Sequence, residues 1–235
     1  LTQSGEPDMA ESRAAIEMLA DLPDLWDVNV REWRRDSVPS RFGPEGSQEE
    51  FISFVKKITR KPVVGVGRSE EYLPYARARV SDPRVTFRIG DAQALPGKDG
   101  EHDVAVSGLV LNFVPDHARM VAEMKRSVSA GGTVAAYVWD YAGEMQLMRR
   151  FWDAAVALDP AALELDEGRR FPITRAAPLV ELFESAGLRD VRILAIDVPT
   201  AFKDFDDYWA PFLGGQAPAP GYCMSLSEER RAALR

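Results

Sequence analysis

Apolar positions along the chain recur with two different periods, and the period changes several times. Glu11 to Ala20 carries Ala15, Ile16, Met18 and Leu19 at helical spacing, and Gln48 to Thr59 puts Phe51, Ile52, Phe54, Val55 and Ile58 on one helical face. Between them Leu25 to Val30 is short and β-prone. The polar stretch Arg31 to Ser47 then reads as a loop, with Pro39, Gly43, Pro44 and Gly46 as breakers. A loop of that length is unusual inside a compact domain, so the segment is either functional or misplaced. Pro62 to Val66 is a continuous apolar run of the kind buried on both faces of a parallel sheet.

The alternation continues to the end of the chain. Glu70 to Val80 predicts a helix, Val85 to Ile89 a strand and Asp103 to Ser107 another strand. His117 to Val128 predicts a helix, and Thr133 to Trp139 a strand that follows an Ala130-Gly131-Gly132 turn. Met145 to Leu158 and Ala176 to Ala186 are amphipathic; Val191 to Val198 is strand-like. Ser225 with Glu228 three residues on matches a capping box for a last helix. Strands separated by helices of this length imply an α/β fold with a mostly parallel, doubly wound sheet. The aromatic-rich Phe202 to Phe212 reads either as a cover for the sheet edge or an acceptor pocket, or as a packed helix with an acidic outer face.

Composition narrows the function. The 235 residues are 46% hydrophobic, enough for one α/β domain with or without an appendage. Net charge is −8 and no basic face is clustered, which argues against a nucleic-acid partner. No apolar run reaches the ~18 residues that span a bilayer, and the acidic first thirty residues lack the basic start of a signal peptide. No membrane partner is expected, and the cytoplasm is the expected compartment. Cys223 stands alone, so no internal disulfide can form; a small buried or half-exposed thiol is the plain reading. A start at Leu1 and a stop within a helical pattern at Arg235 suggest a fragment.

In a doubly wound sheet, ligands sit beyond the carboxyl ends of the strands. Four strand ends therefore carry the chemistry: Gly65-Val66-Gly67-Arg68-Ser69, Gly90-Asp91-Ala92-Gln93-Ala94-Leu95-Pro96, Gly108 to Pro115, and Asp140-Tyr141. Taken alone, Asp91 reads as a plain Asx turn after a strand. Asn112 reads, taken alone, as a polar helix-start residue. His102 and His117 have no partners at ligand spacing, so surface histidines are expected and no metal site. No serine stands in a nucleophile-elbow pattern, which argues against an α/β hydrolase.

The stretch VTFRIGDAQALPGKDGEHDVAVSGLVLNFVPDHARMVAEMKRSVSAGGTVAAYVWDY resembles the class I S-adenosylmethionine-dependent methyltransferases that act on small molecules, from about Val63 onward. The resemblance implies a Rossmann-like sheet, incomplete at both ends. It also implies that Asp91 and the Ala92 backbone would meet the adenine, that Ser107 and Gly108 would line the methionine end, and that Asn112 would face a small-molecule acceptor. No catalytic base is named. The chain departs from the family in two places: no glycine-rich D-x-G-x-G-x-G loop follows the first strand, and Gly67-Arg68 stands where the family carries an acidic residue for the ribose hydroxyls. The closing antiparallel strand expected after Val191 to Val198 is also missing. Cofactor binding is therefore expected to be weak or lost.

DLPDLWDVNVREWRRDSVPSRFGPEGSQEEFISFVKKITRKPVVGVGR is similar to part of the flavin-binding barrel of the trimethylamine and dimethylamine dehydrogenases, in the old yellow enzyme family. There Trp33 would belong to an aromatic bowl for an alkylammonium, Asp36 to its acid/base group, and Gly67 and Arg68 to the flavin phosphate contacts. The partners that such a site requires and the other barrel strands are absent, so FMN is not expected. Residues 1–67 thus read as a borrowed segment supplying a βα unit at the N terminus. Residues 68–235 read as a methyltransferase-like domain truncated at its C terminus, the two spliced at the strand both families share. The functions that follow are methyl transfer by an impaired site, a fragment of an FMN-dependent amine dehydrogenase, or an inert, interaction-only domain.

Overall fold

The computed structural model describes residues 61–68, 72–197, 200–215 and 217–235. The expected pairing of Leu25 to Val30 with Pro62 to Val66, and the roles of Trp33 and Asp36, lie outside them. The described residues fall into two compact units, 61–138 with 180–197, and 139–179 with 200–235.

In the first unit, strand β1 (Val63–Gly67) leads through helix α1 (Tyr72–Arg79) to β2 (Val85–Ile89), which pairs with it in parallel from Val63 opposite Val85 to Gly67 opposite Ile89. A second βαβ segment follows: β3 (His102–Gly108), helix α2 (His117–Ser127) and β4 (Val128–Tyr137), again parallel. Helix α2 begins at Asp116, whose carboxylate accepts the Arg119 N–H at 2.9 Å, and its inner face buries Met120, Val121, Met124 and Ser127. The strand read as starting at Thr133 begins at Val128 instead. Its first part is irregular: His102 faces Val128, but Val104 already faces Thr133. Ala130-Gly131-Gly132 is the looped-out excess. Gly131 sits at φ +85°, and a side chain on Gly132 would come within 2.6 Å of the Asp103 carbonyl.

The strands are parallel and alternate with helices, as the α/β reading expects, and the described ones form two small sheets, β1 with β2 and β3 with β4, with no ladder joining them among the described residues. Side chains connect them instead, Lys61 to Asp103 at 2.9 Å and Arg88 to Glu101 at 3.8 Å. Residues 191–197 form no strand: Ile193, Leu194 and Ile196 are exposed, and no described strand pairs with them. The last helix is capped by Ser227, whose hydroxyl accepts the Arg230 N–H, not by Ser225. Ser225 ends the preceding helix and donates its hydroxyl to the Tyr222 carbonyl at 2.8 Å.

The second unit is helical: α3 (Gln146–Leu158), the short α4 (Glu167–Arg170), α6 (Phe205–Trp209), α7 (Pro218–Ser225) and α8 (Glu228–Leu234), with α5 (Ala176–Ser185) crossing the division of the chain. Its core centres on Phe151, which stacks on Phe212 at 4.3 Å and meets Trp152 edge-on at 5.2 Å. The Phe202 to Phe212 segment is thus a packed helix and turn, with Trp209 and Phe212 inside and Asp206 exposed. Cys223 is fully buried in the same core, which pushes its thiol pKa up.

Beside this core lies a buried carboxylate. Glu167 is 3% exposed and accepts the Trp152 indole N–H; burial raises its pKa above the ordinary carboxylate value. A carboxyl whose folded pKa is raised loses stability as pH climbs from its unfolded pKa through its folded one. Glu167→Gln keeps an acceptor for the indole and removes the charge. The variant should melt above the wild type at neutral pH, with the gap closing as pH falls below the unfolded glutamate pKa; thermal denaturation across that range checks it.

Candidate functional site

The carboxyl ends of β2 and β3 build the site. Leaving β3, the chain makes a left-handed step at Leu109, φ +56°, held by its N–H on the Tyr137 carbonyl at 2.9 Å. For a leucine this conformation costs about 1–2 kcal/mol. The step leads into a 3-10 turn, Leu111–Phe113, that buries Leu111 fully and Asn112 to 5% exposure, leaving Val110 and Phe113 outside. Ser107, the second-last residue of β3, is 6% exposed. Neither polar side chain is satisfied: the Ser107 hydroxyl and both the oxygen and the nitrogen of the Asn112 amide are buried without a hydrogen-bond partner. Each such atom costs about 1–3 kcal/mol if left without a partner, so three at one strand end mark a place for a polar partner. Gly108 is half-buried between them.

Asp91 stands at the end of β2, half-buried with Ala92. Its Oδ1 accepts the Gln93 backbone N–H at 2.9 Å and the Gln93 side-chain amide at 3.3 Å, forming the Asx turn, while its Oδ2 lies 3.8 Å from the Arg68 guanidinium. These two Gln93 bonds, the backbone one first, hold the carboxyl below its usual pKa. Sequence reasoning missed Gln93, which relays Asp91 to helix α2. Its side-chain oxygen accepts the Asp116 N–H at 3.0 Å, and its carbonyl accepts Arg119 Nε at 2.8 Å. Glu123 and Arg126 clamp the rest of the loop: Glu123 accepts the Leu95 N–H, and Arg126 donates to the Leu95 carbonyl, each at 2.9 Å. The Asp-x-Gln spacing was the only signal for this relay in the sequence. Gln93→Ala should raise the Asp91 pKa while leaving it below the ordinary carboxylate value, because the backbone bond remains. Carboxyl NMR titration reads this directly.

Gly67, at the end of β1, offers no side-chain acceptor. Among the described residues a Cβ there would meet only Leu73, its Cδ2 at 3.5 Å and its Cγ at 4.0 Å, which is ordinary contact. Arg68 beside it is 71% exposed and carries donors only. His102 and His117 are half-buried at the first positions of β3 and α2, and among the described residues no group of three histidine, cysteine or acidic side chains could hold a metal. No helix among the described residues is long and apolar enough to cross a membrane.

Residues 46–136 match the family model of a methyltransferase domain, which begins ahead of Val63. The chain is 27% identical over 208 residues to the trans-aconitate 2-methyltransferase of Methylobacterium radiotolerans, covering 76% of this chain and 75% of that one. It is also 42% identical over 73 residues to the dimethylamine dehydrogenase of Hyphomicrobium, which takes in 28% of this chain. The chain spans 10% of the length of that dehydrogenase and less than half the length of several further relatives. Among solved structures, a putative methyltransferase from an antibiotic biosynthesis pathway of Anabaena variabilis matches with a TM-score of 0.50 at 18% identity, over 99% of this chain and 79% of that one. The fold is the Rossmann-like fold of methyltransferases.

Proposed function

We propose that the chain is built for methyl transfer from S-adenosylmethionine to a small molecule, with the ribose half of its cofactor site weakened. The observation that carries the reading is the set of three unpartnered atoms on Ser107 and Asn112, where β3 ends. A hydroxyl and a carboxamide together supply donors and acceptors, which suits the zwitterionic methionine end of that cofactor. Asp91 adds a carboxylate already fixed in direction by Gln93. The cofactor supplies an electrophilic sulfonium methyl. The chain's own contribution would be to orient and to exclude water, since no base stands among these residues. Against this set, Gly67 supplies nothing for ribose hydroxyls, and Arg68 brings positive charge toward a sulfonium.

The similarity to dimethylamine dehydrogenase supports reading residues 1–67 as a segment of flavin-barrel type joined to a methyltransferase at the β1 strand. FMN should not copurify, because Gly67 and Arg68 are one of several phosphate contacts a flavin barrel uses. A stoichiometric yellow holoprotein would overturn that part. Calorimetric titration of S-adenosylmethionine into the wild type and Gly67→Asp tests the main reading. Binding by the variant supports it; no binding by either chain sinks it.

A further inference from the structure

Strand β3 could end without the left-handed step at Leu109. Among the described residues, Leu109, Asp190 and Ala217 take a positive φ without being glycine, and Leu109 alone of the three follows the carboxyl end of a strand. Aspartate tolerates that conformation through a short polar side chain and glycine through having none; leucine has neither means. Such a residue persists where its surroundings hold it, and residues of this kind gather at binding sites.

The hold comes from both sides. Gly108 still stands opposite Tyr137 in the register of β3 and β4, and the Leu109 N–H closes on the Tyr137 carbonyl at 2.9 Å. Beyond the step, the Phe113 N–H reaches the Val110 carbonyl at 2.9 Å and the Val114 N–H the Leu111 carbonyl at 3.2 Å, tightening the turn that buries Leu111. Leu109 itself is half-buried. In an extended continuation of β3, alternation would put Asn112 on the opposite face from Ser107. The step breaks that alternation, and both side chains end buried with unpartnered polar atoms. Burial is also inverted in the turn: apolar Val110 and Phe113 are 45% and 62% exposed, while the carboxamide between them in sequence is inside. Burial of apolar surface does not account for that choice.

We propose that Leu109 is a positioning residue for the ligand site: its left-handed conformation turns the Asn112 carboxamide into the end of β3 and holds it there before a ligand arrives. A donor and an acceptor fixed in advance spare the ligand the entropy of ordering them. Leu109 acts through Asn112 and touches no ligand itself. The inference rests on the methyl-transfer reading for the identity of the ligand, not for the geometry.

The test has an arm without ligand and an arm with S-adenosylmethionine. Asparagine occurs in the chain as Asn29 and Asn112, so isotope labelling of asparagine gives two carboxamide signals, which Asn112→Ala tells apart. In the ligand-free wild type the Asn112 carboxamide should be protected from hydrogen exchange. Leu109→Val, whose β-branched side chain disfavours the left-handed region, should reduce that protection about tenfold or more. Leu109→Ala takes its place if circular dichroism shows Leu109→Val unfolded. Affinity is read by calorimetric titration of S-adenosylmethionine into the Gly67→Asp chain. There Leu109→Asn, which accepts the left-handed region, should bind within about threefold of its parent, and Leu109→Val about tenfold or more weaker. With Asn112→Ala already present, Leu109→Val should cost less than about threefold further, because residues acting through one contact are not additive. An Asn112 carboxamide unprotected in the wild type, or equally protected in Leu109→Val, overturns the proposal. So does a roughly tenfold loss on Leu109→Asn, or a Leu109→Val penalty that survives undiminished beside Asn112→Ala, which would make Leu109 scaffold alone. No binding by the Gly67→Asp chain sinks the methyl-transfer reading and leaves the carboxamide protection to decide this one.

Discussion

Trp152→Ala should destabilise the protein by about 3–5 kcal/mol, the range for removing a large aromatic from a packed core. Trp152 is fully buried, meets Phe151 edge-on, and lies 5.8 Å from the Tyr222 ring. Neighbours on several helices would have to collapse together to fill the space, so most of the cavity cost should remain. The indole is also the side-chain donor to buried Glu167, and alanine leaves that carboxylate without it. The expected loss is therefore at the upper end of the range, roughly 10–20 °C in melting temperature for a chain of this size. Trp152→Phe restores most of the volume but not the N–H, so the difference between the two variants isolates the hydrogen bond. A melting temperature for Trp152→Ala within a degree or so of wild type would refute the packing described here.

The second large effect concerns affinity. A carboxylate holding two ribose hydroxyls makes charge-assisted bonds of about 1.5–3 kcal/mol each. Gly67→Asp should therefore tighten S-adenosylmethionine binding by roughly a hundredfold or more, since about 1.4 kcal/mol is tenfold. Among the described residues the nearest atom to the new Cβ is Leu73 Cδ2 at 3.5 Å, an ordinary contact. Micromolar binding by the wild type would show that the ribose half of the site is not weakened. A variant that binds detectably but no better than wild type would place the defect in the glycine-rich turn that the sequence lacks.

What the sequence disclosed followed from local pattern. Val85–Ile89 is a strand with the bounds its apolar run implied, and His117, Asp103 to Ser107 and Gln146–Leu158 fall within a residue or two of expectation. The strand-end rule led to Asp91, Ser107 and Asn112, and the structure buries the last two without partners. It does not bring Gly67 or Arg68 into hydrogen bonding with Asp91, the guanidinium standing at 3.8 Å. Val191 to Val198 failed because alternation states only a preference for the sheet; a strand also needs a neighbour to accept its ladder. Ser225 failed because Pro218–Ser225 is itself helical, so the serine with the right spacing stands at the end of one helix, not the start of the next. The Arg149–Asp166 ion pair was invisible for another reason: the two residues belong to separate helical segments, and nothing in a periodic pattern announces that two such charges will meet.

The two separate parallel sheets have a kinetic consequence. Each closes within one short crossover, with partners such as Val63 and Val85, or Val104 and Thr133, only roughly twenty to thirty positions apart. Loop-closure entropy grows slowly with length, so the two closures cost nearly the same. Because no ladder couples them among the described residues, neither must wait for the other, and each can open on its own. Native-state hydrogen exchange should accordingly resolve two opening free energies in the first unit, one for the β1 and β2 amides and a higher one for β3 and β4, whose ladder is backed by the buried face of α2.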